Sequence, residues 1–306
     1  MEEIKLFAPA TIANVSCGFD VLGLCLDTVG DEMTIRKTNE KGIKITKITG
    51  QDLPLETEKN VAGVAVLALL KQLNSEVGFE IEIYKNIKPG SGIGSSAASS
   101  AGAVFGVNKL LGEPFSLQEL VPFAMEGEKL ASGTAHADNV APALFGGFTL
   151  VRSYNPLDII KIEAPSELYA AVIHPQIEVK TADARSVLKQ TVSLKQSVIQ
   201  LGNLGGLISG LYTANYELIG RSLHDELVEP HRSILIPEFE NVKKAALKAG
   251  ALGSGISGSG PSIFALCKGK NDAEKVGKAM ASVYESIEID FDVHVSKINT
   301  NGIKIL

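Results

Sequence analysis

From Lys88 to Gly102 the chain reads KPGSGIGSSAASSAG, a run made mostly of glycine and serine. Upstream, FEIEIY (Phe79–Tyr84) alternates Phe79, Ile81 and Ile83 against Glu80 and Glu82, the period-two signature of a strand with one buried face. Downstream, the pattern predicts a helix that starts at Ser95–Ser96 and runs through AASSAGAVFGVNKLL. A pliable turn between strand and helix lets backbone N–H groups converge, and the helix start adds the positive end of its dipole. The run therefore calls for a mixed fold with an anion site, phosphate above all, at a helix mouth. Ser95 and Ser96 stand at that mouth, where one hydroxyl can bond an N–H or a phosphate oxygen and the other can ligate Mg²⁺.

The run fits neither common nucleotide fingerprint. It lacks the Lys of GxxxxGK[ST] and reads GxGxGSS rather than GxGxxG. A second cluster, GSGISG (Gly253–Gly258), is a literal GxGxxG, yet it follows the helical EFENVKKAALKAGAL and precedes the strand PSIFALC. That is the reverse of the strand-to-helix order a dinucleotide site needs. It reads either as a tight turn packing on another loop or as a direct ligand contact.

Around these loops the chain alternates elements. VAGVAVLALL (61–70) is apolar nearly all round and predicts a helix buried on several sides. SLQELVPFAMEGEKLAS opens on a capping box, Ser116 with Glu119 three residues on, and its helix is expected to end near Ser132–Gly133. A polar turn, GTAHADN, leads to a short apolar segment that Gly146–Gly147 separates from a strand. A strand bracketed by Pro165 and Pro175, a long helical region over about 183–249, the strand in PSIFALCKG, a helix over 272–285 and a strand in FDVHVSKI make up the second half. That order suits a small antiparallel or mixed sheet with helices on one face. A domain boundary is expected within 155–166, where SYNPLDIIKIEAPS has little periodicity, dividing the chain into 1–160 and 161–306.

Composition narrows the function. The formal net charge is −6, and no Lys/Arg run could follow a phosphodiester backbone, so nucleic acid is not an expected partner. The three cysteines, Cys17, Cys25 and Cys267, form no CxxC pair and point to reduced thiols of a cytoplasmic protein. The apolar stretch at 61–70 is about half of what a bilayer span requires, so no membrane association is expected.

Three segments taken together, APATIANVSCGFDVLG (8–23), GSGIGSSAASSAG (90–102) and GALGSGISGSGPSIFAL (250–266), resemble the three ordered motifs of the superfamily of galactokinase, homoserine kinase, mevalonate kinase and phosphomevalonate kinase, most closely its homoserine kinase branch. The resemblance spans nearly the whole chain. It implies an α+β, two-domain small-molecule kinase fold: an N-terminal domain like ribosomal protein S5 domain 2 with a left-handed crossover, and a ferredoxin-like C-terminal domain. It also implies ATP and Mg²⁺ as cofactors, transfer of phosphate to the hydroxyl of L-homoserine on the route to threonine, and a homodimer. Sugar and mevalonate kinases usually carry Lys or Arg where this chain has Thr11, which favours the homoserine branch. Another alcohol kinase of the superfamily and a non-catalytic small-molecule-binding relative are the alternatives. The chain departs from many relatives in having Val-Ser-Cys at 15–17 and in placing Pro89 directly before Gly90.

The resemblance also assigns residues. Pro89, Gly90, Ser91, Gly92, Ile93, Gly94, Ser95, Ser96 and Ala97 would wrap the ATP phosphates, and Glu128 with Ser96 (or Ser95) would hold Mg²⁺, Glu126 being the alternative carboxylate. Asn14 would lie beside the accepting hydroxyl, and Asp20 would bind the substrate ammonium. In HADN, His136 and Asn139 would touch substrate and Asp138 would act as base or orienting group. Arg185 and Arg232 would fork the substrate carboxylate, with Thr181 assisting and capping the same helix as Arg185.

Overall fold

The computed structural model describes residues 2–306. Its strands are β1 (Glu3–Ala13), β2 (Leu22–Thr38), β3 (Ile43–Thr49), β4 (Gly78–Tyr84), β5 (Phe148–Tyr154), β6 (Leu157–Ile162), β7 (Leu168–Pro175), β8 (Gly253–Ile256), β9 (Ile263–Lys268), β10 (Phe291–Lys297) and β11 (Lys304–Ile305). The helices are α1 (Val61–Leu73), α2 (Ser95–Leu110), α3 (Leu117–Ser132), α4 (Val140–Phe145), α5 (Thr181–Ser186), α6 (Leu194–Thr213), α7 (Tyr216–Ser222), α8 (Glu229–Arg232), α9 (Phe239–Lys248) and α10 (Lys270–Glu285).

The larger sheet runs β11-β1-β2-β4-β3, with β5 paired to the start of β2 and β6 to β5. Only the β3–β4 pair is parallel, because α1 crosses between them; every other pair is antiparallel. Helix α2 lies on β1 and β2, and its small side chains explain how closely. A Cβ on Gly102 would meet Met33 Sδ at 2.8 Å, and one on Gly106 would meet Ile35 Cδ1 at 2.5 Å. The Ser/Ala/Gly content of 95–106 thus serves packing: α2 is buried along nearly its whole length, between the sheet and helices α1 and α3.

The smaller sheet, β10-β7-β9-β8, is antiparallel throughout. The expectation of helices on one face needs correcting, because both faces are covered. Ala171, Ile173, Ile263 and Ala265 pack under α9 and α10, whereas Ala170, Val172, Phe264 and Leu266 join Leu207, Leu211 and Ile219 of α6 and α7 in the main core. The segment 155–166 is also more regular than expected: Asn155 and Pro156 turn the β5–β6 hairpin. After β10 the chain returns to the larger sheet, where β11 pairs with β1, and Ser296 Oγ accepts hydrogen bonds from the N–H groups of Asp27 (2.7 Å) and Thr28 (3.2 Å). Among the described residues no helix is long and apolar enough to cross a membrane, and the cysteines are free and buried.

Candidate active site

The glycine run folds as its sequence dictates. β4 leads into a loop in which Gly90, Gly92 and Gly94 have φ of +73°, +82° and +71°, and Gly94 is the N-cap of α2. Space as well as φ demands glycine: a Cβ would sit 2.5 Å from the Gly260 carbonyl oxygen at Gly92 and 2.0 Å from Thr11 Oγ1 at Gly94. The first-turn N–H groups of α2 lack intrahelical partners and open on a cleft of about 600 Å³. Pro89, Gly90, Gly92, Gly94, Ser95 and Ser96 line that cleft. Ser91, Ile93 and Ala97 do not: the Ser91 carbonyl accepts from the Ser262 N–H (3.3 Å), the Ile93 carbonyl from the Thr11 N–H (3.1 Å), and the Ala97 side chain sits in the core. The second glycine cluster packs on another loop, the first of the two readings offered for it. Gly253–Ile256 is strand β8; the turn after it buttresses the first loop through Ser257 Oγ, which donates to the Gly92 carbonyl (2.7 Å), while Gly258 borders the cleft.

At the loop's far side two serines part company. Ser95 donates its hydroxyl to the Ile87 carbonyl (2.9 Å), whereas Ser96 stands beside the carboxyl of Glu128 on α3. Glu128 is buried with Oε1 unpartnered, and desolvation pushes its carboxyl up to about 7, with Ser96 and the Lys85 charge pulling the other way. Glu126 does not line the cleft. Beneath them lies a pair that no sequence motif announced. Lys85 is buried, bonds Asp31, and donates to the Ser95 carbonyl (2.9 Å) and to Ser99 Oγ (3.0 Å). Asp31 in turn accepts the N–H groups of Asn86 and Ile87, both at 2.9 Å. Loop and helix start are thereby tied to β2.

The opposite end of the cleft holds the substrate candidates. Arg185, on α5, forms a fork with Asp20, at 2.8 Å from Nη2 to Oδ1 and 3.2 Å from Nη1 to Oδ2. Its Nη2 also donates to His136 Nε2 (2.9 Å), so that ring nitrogen is unprotonated. Burial, then the Arg185 charge, holds the His136 pKa below its ordinary value against the pull of Asp20. Arg232, a surface charge on sequence grounds alone, is buried. It donates to the Ala184 carbonyl (3.0 Å) and the Gly258 carbonyl (2.9 Å), and, like Arg185, it lies over the Phe19 ring, the two at 5.1 and 5.6 Å from the ring centre. Desolvation, then the Arg185 charge, lowers the Arg232 pKa to about 10. Asp138 is buried as well, its carboxyl pushed up to about 7 by desolvation and then by the negative charges of Asp20 and Glu128. Thr181 borders the cleft, but it is the first residue of α5 and makes no side-chain cap; the N-cap is Lys180.

Asn14 joins the first motif to the third. Its Nδ2 donates to the Gly258 carbonyl (2.8 Å) and its Oδ1 accepts the Asp20 N–H (3.0 Å). The loop it anchors is strained: Asn14, Val15 and Ser16 have φ of +70°, +42° and +60°, a conformation costing roughly 1–2 kcal/mol per residue. Asn139 is held by Thr11, whose hydroxyl donates to Asn139 Oδ1 (2.8 Å). Thr11 was legible only as the absence of a basic residue; in the structure it braces Gly94, Ile93 and Asn139 at once. Tyr154 of β5 was not read from the sequence at all. Its hydroxyl donates to the Asp20 carbonyl (3.0 Å) and accepts the Ala137 N–H (3.2 Å).

Comparison with known proteins fits this geometry. Residues 60–147 match the family described as GHMP kinases N terminal domain, and 207–286 match GHMP kinases C terminal. The homoserine kinase of Chlorobium phaeobacteroides (strain BS1) is 48% identical, over 100% of this chain and 100% of that protein. The crystal structure of homoserine kinase from Cytophaga hutchinsonii aligns with a TM-score of 0.96 at 54% identity, covering 100% of this chain and 98% of that one. The L. major mevalonate kinase, at 16% identity and a TM-score of 0.70 over 97% and 95% of the two chains, shares the fold. The chain belongs to the homoserine kinase family of the GHMP kinases.

Proposed function

We propose that the protein transfers the terminal phosphate of ATP to the side-chain hydroxyl of L-homoserine. The observation that carries this reading is one cleft with a glycine-lined helix mouth at one end and the Asp20–Arg185–His136 cluster at the other. The first-turn amides of α2 grip the phosphates. At the far end Asp20 accepts the substrate ammonium, while Arg185, assisted by Arg232 and Thr181, binds the carboxylate. Asn14 and Asn139 position the hydroxyl, whose oxygen forms the new P–O bond as the bond to ADP breaks. Asp138 accepts the hydroxyl hydrogen bond and takes the proton as the new P–O bond forms, late in a loose, metaphosphate-like transition state that asks little of a base.

The residues also fit a divalent cation. Glu128 Oε1 is buried without a partner beside Ser96, and among the described residues no cluster of three or more His, Cys, Asp or Glu exists that would hold a metal without help from phosphate. Glu128 and Ser96 would hold Mg²⁺, which when bound neutralises phosphate charge. The reading further places the enzyme in the cytoplasm and pairs two copies of the chain.

An ADP-release assay over homoserine, mevalonate, galactose and shikimate tests it. Turnover is expected on homoserine; turnover on another alcohol without homoserine rejects it.

A further inference from the structure

Gln200 and Asp225 are both buried, and neither lines the cleft. Gln200, on α6, donates from Nε2 to the Cys17 carbonyl and to Asp225 Oδ1, both at 2.9 Å, and its Oε1 accepts the Glu226 N–H (2.9 Å). Asp225 gathers the backbone that enters α8: Oδ1 accepts the N–H groups of Leu227 (2.9 Å) and Val228 (3.1 Å), and Oδ2 accepts that of Glu229 (2.8 Å). Every polar atom of the two side chains is partnered, the condition under which a buried network holds one geometry. What it joins is the substrate end. Cys17 follows Asn14, Val15 and Ser16, three consecutive residues at positive φ, and precedes Phe19 and Asp20. Helix α8 ends on Arg232. Asn14 Nδ2 (2.8 Å) and Arg232 Nη1 (2.9 Å) meet at one acceptor, the Gly258 carbonyl, while Gln200 and Asp225 tie together the backbones that carry them.

We infer that Gln200 and Asp225 are positioning residues for the homoserine end of the cleft: they fix the Asn14–Asp20 loop, which takes the hydroxyl and the ammonium, relative to Arg232, which helps take the carboxylate. The inference rests on the kinase reading above and deepens it. A helix cap alone would need only Asp225. The Gln200 amide adds the second link, directing one hydrogen to the cap and the other to the Cys17 carbonyl, 183 residues away in sequence. Backbone held at positive φ persists only where its surroundings over-determine it, and this bond is one such restraint on the loop. None of the network's partners belongs to the glycine loop at 89–96, so the nucleotide end is expected to be indifferent to it.

Steady-state kinetics of the full chain, with homoserine and ATP varied separately, tests the tie in two single variants and their combination. Gln200→Met keeps the side chain's length and removes its donors. Asp225→Ser keeps a short oxygen that can still accept the Leu227 and Val228 N–H groups, and removes the carboxylate that meets Gln200. Each is expected to raise KM for homoserine by about tenfold and to lower kcat, with KM for ATP within about twofold of wild type. The double variant is expected to match the singles within about twofold, because the same link is removed twice. Should Gln200→Met fail to fold, Asp225→Ser carries the test, an unchanged KM for ATP showing that the glycine end is intact. A wild-type homoserine KM in the variants overturns the inference, as do equal rises in both KM values or a rise of about 100-fold in the double variant, the product of two independent effects. Wild type without turnover of homoserine overturns the kinase reading, and this inference with it; active wild type whose variants are unaffected overturns the inference alone.

Discussion

Arg185 and Asp20, 165 residues apart in sequence, both line the cleft and are joined by a fork of 2.8 and 3.2 Å. In the proposed complex each serves a different end of the same substrate. The free protein thus neutralises its own zwitterion site, and a ligand gains net affinity only by giving both groups a new partner. A molecule with a single charge leaves one of them unpaired in a half-buried setting.

Arg185→Met should raise KM for homoserine by about 100-fold, equivalent to roughly 3 kcal/mol for lost charged hydrogen bonds, while KM for ATP stays within about twofold. Steady-state kinetics with each substrate varied separately checks this. Equal rises in both KM values would remove Arg185 from the substrate end.

Glu128→Gln should abolish the gain in ATP affinity on adding Mg²⁺, because the carboxylate beside Ser96 in the cleft is lost. Calorimetric ATP titrations with Mg²⁺ and with EDTA check it. The wild type should show a clear difference between the two, and the variant nearly none.

Lys85→Met should be strongly destabilising, by about 3–5 kcal/mol, since it strands the buried Asp31 carboxylate. Adding Asp31→Asn should recover part of the loss. Urea unfolding of the single and double variants reads both values, and an additive second loss would show that the two groups act independently.

Asp138 is held up to about 7 by burial, far above an unfolded aspartate, so between about 4 and 7 the folded chain binds the extra proton. Its contribution to stability therefore falls as pH rises through that window. Asp138→Asn should raise the melting temperature of the ligand-free protein by a few degrees at pH 8 and leave it nearly unchanged at pH 4.5, while lowering kcat. Thermal melts at the two pH values test the sign; an equal shift at both would refute it.

Much of this was written locally in the chain. The strand-loop-helix around Gly90–Gly94 follows from glycine's freedom at positive φ, and the Ser116–Glu119 capping box starts α3 where the sequence places it. Long-range pairings left no such mark. Lys85 and Asp31 meet only because β2 and the end of β4 run side by side, and Arg232 is buried because Phe19 arrives from another motif. The run of small residues after Ser96 was legible as a ligand signal but serves mainly to bring α2 onto the sheet. The strain at Val15 and Ser16 was equally hidden, since neither residue type favours a positive φ.

The most direct test of the central claim follows the label from [γ-³²P]ATP in a single turnover with stoichiometric enzyme and L-homoserine. The label is expected in O-phospho-L-homoserine, and only when homoserine is present. Label released solely as inorganic phosphate, or passed to a different alcohol in preference to homoserine, would contradict it.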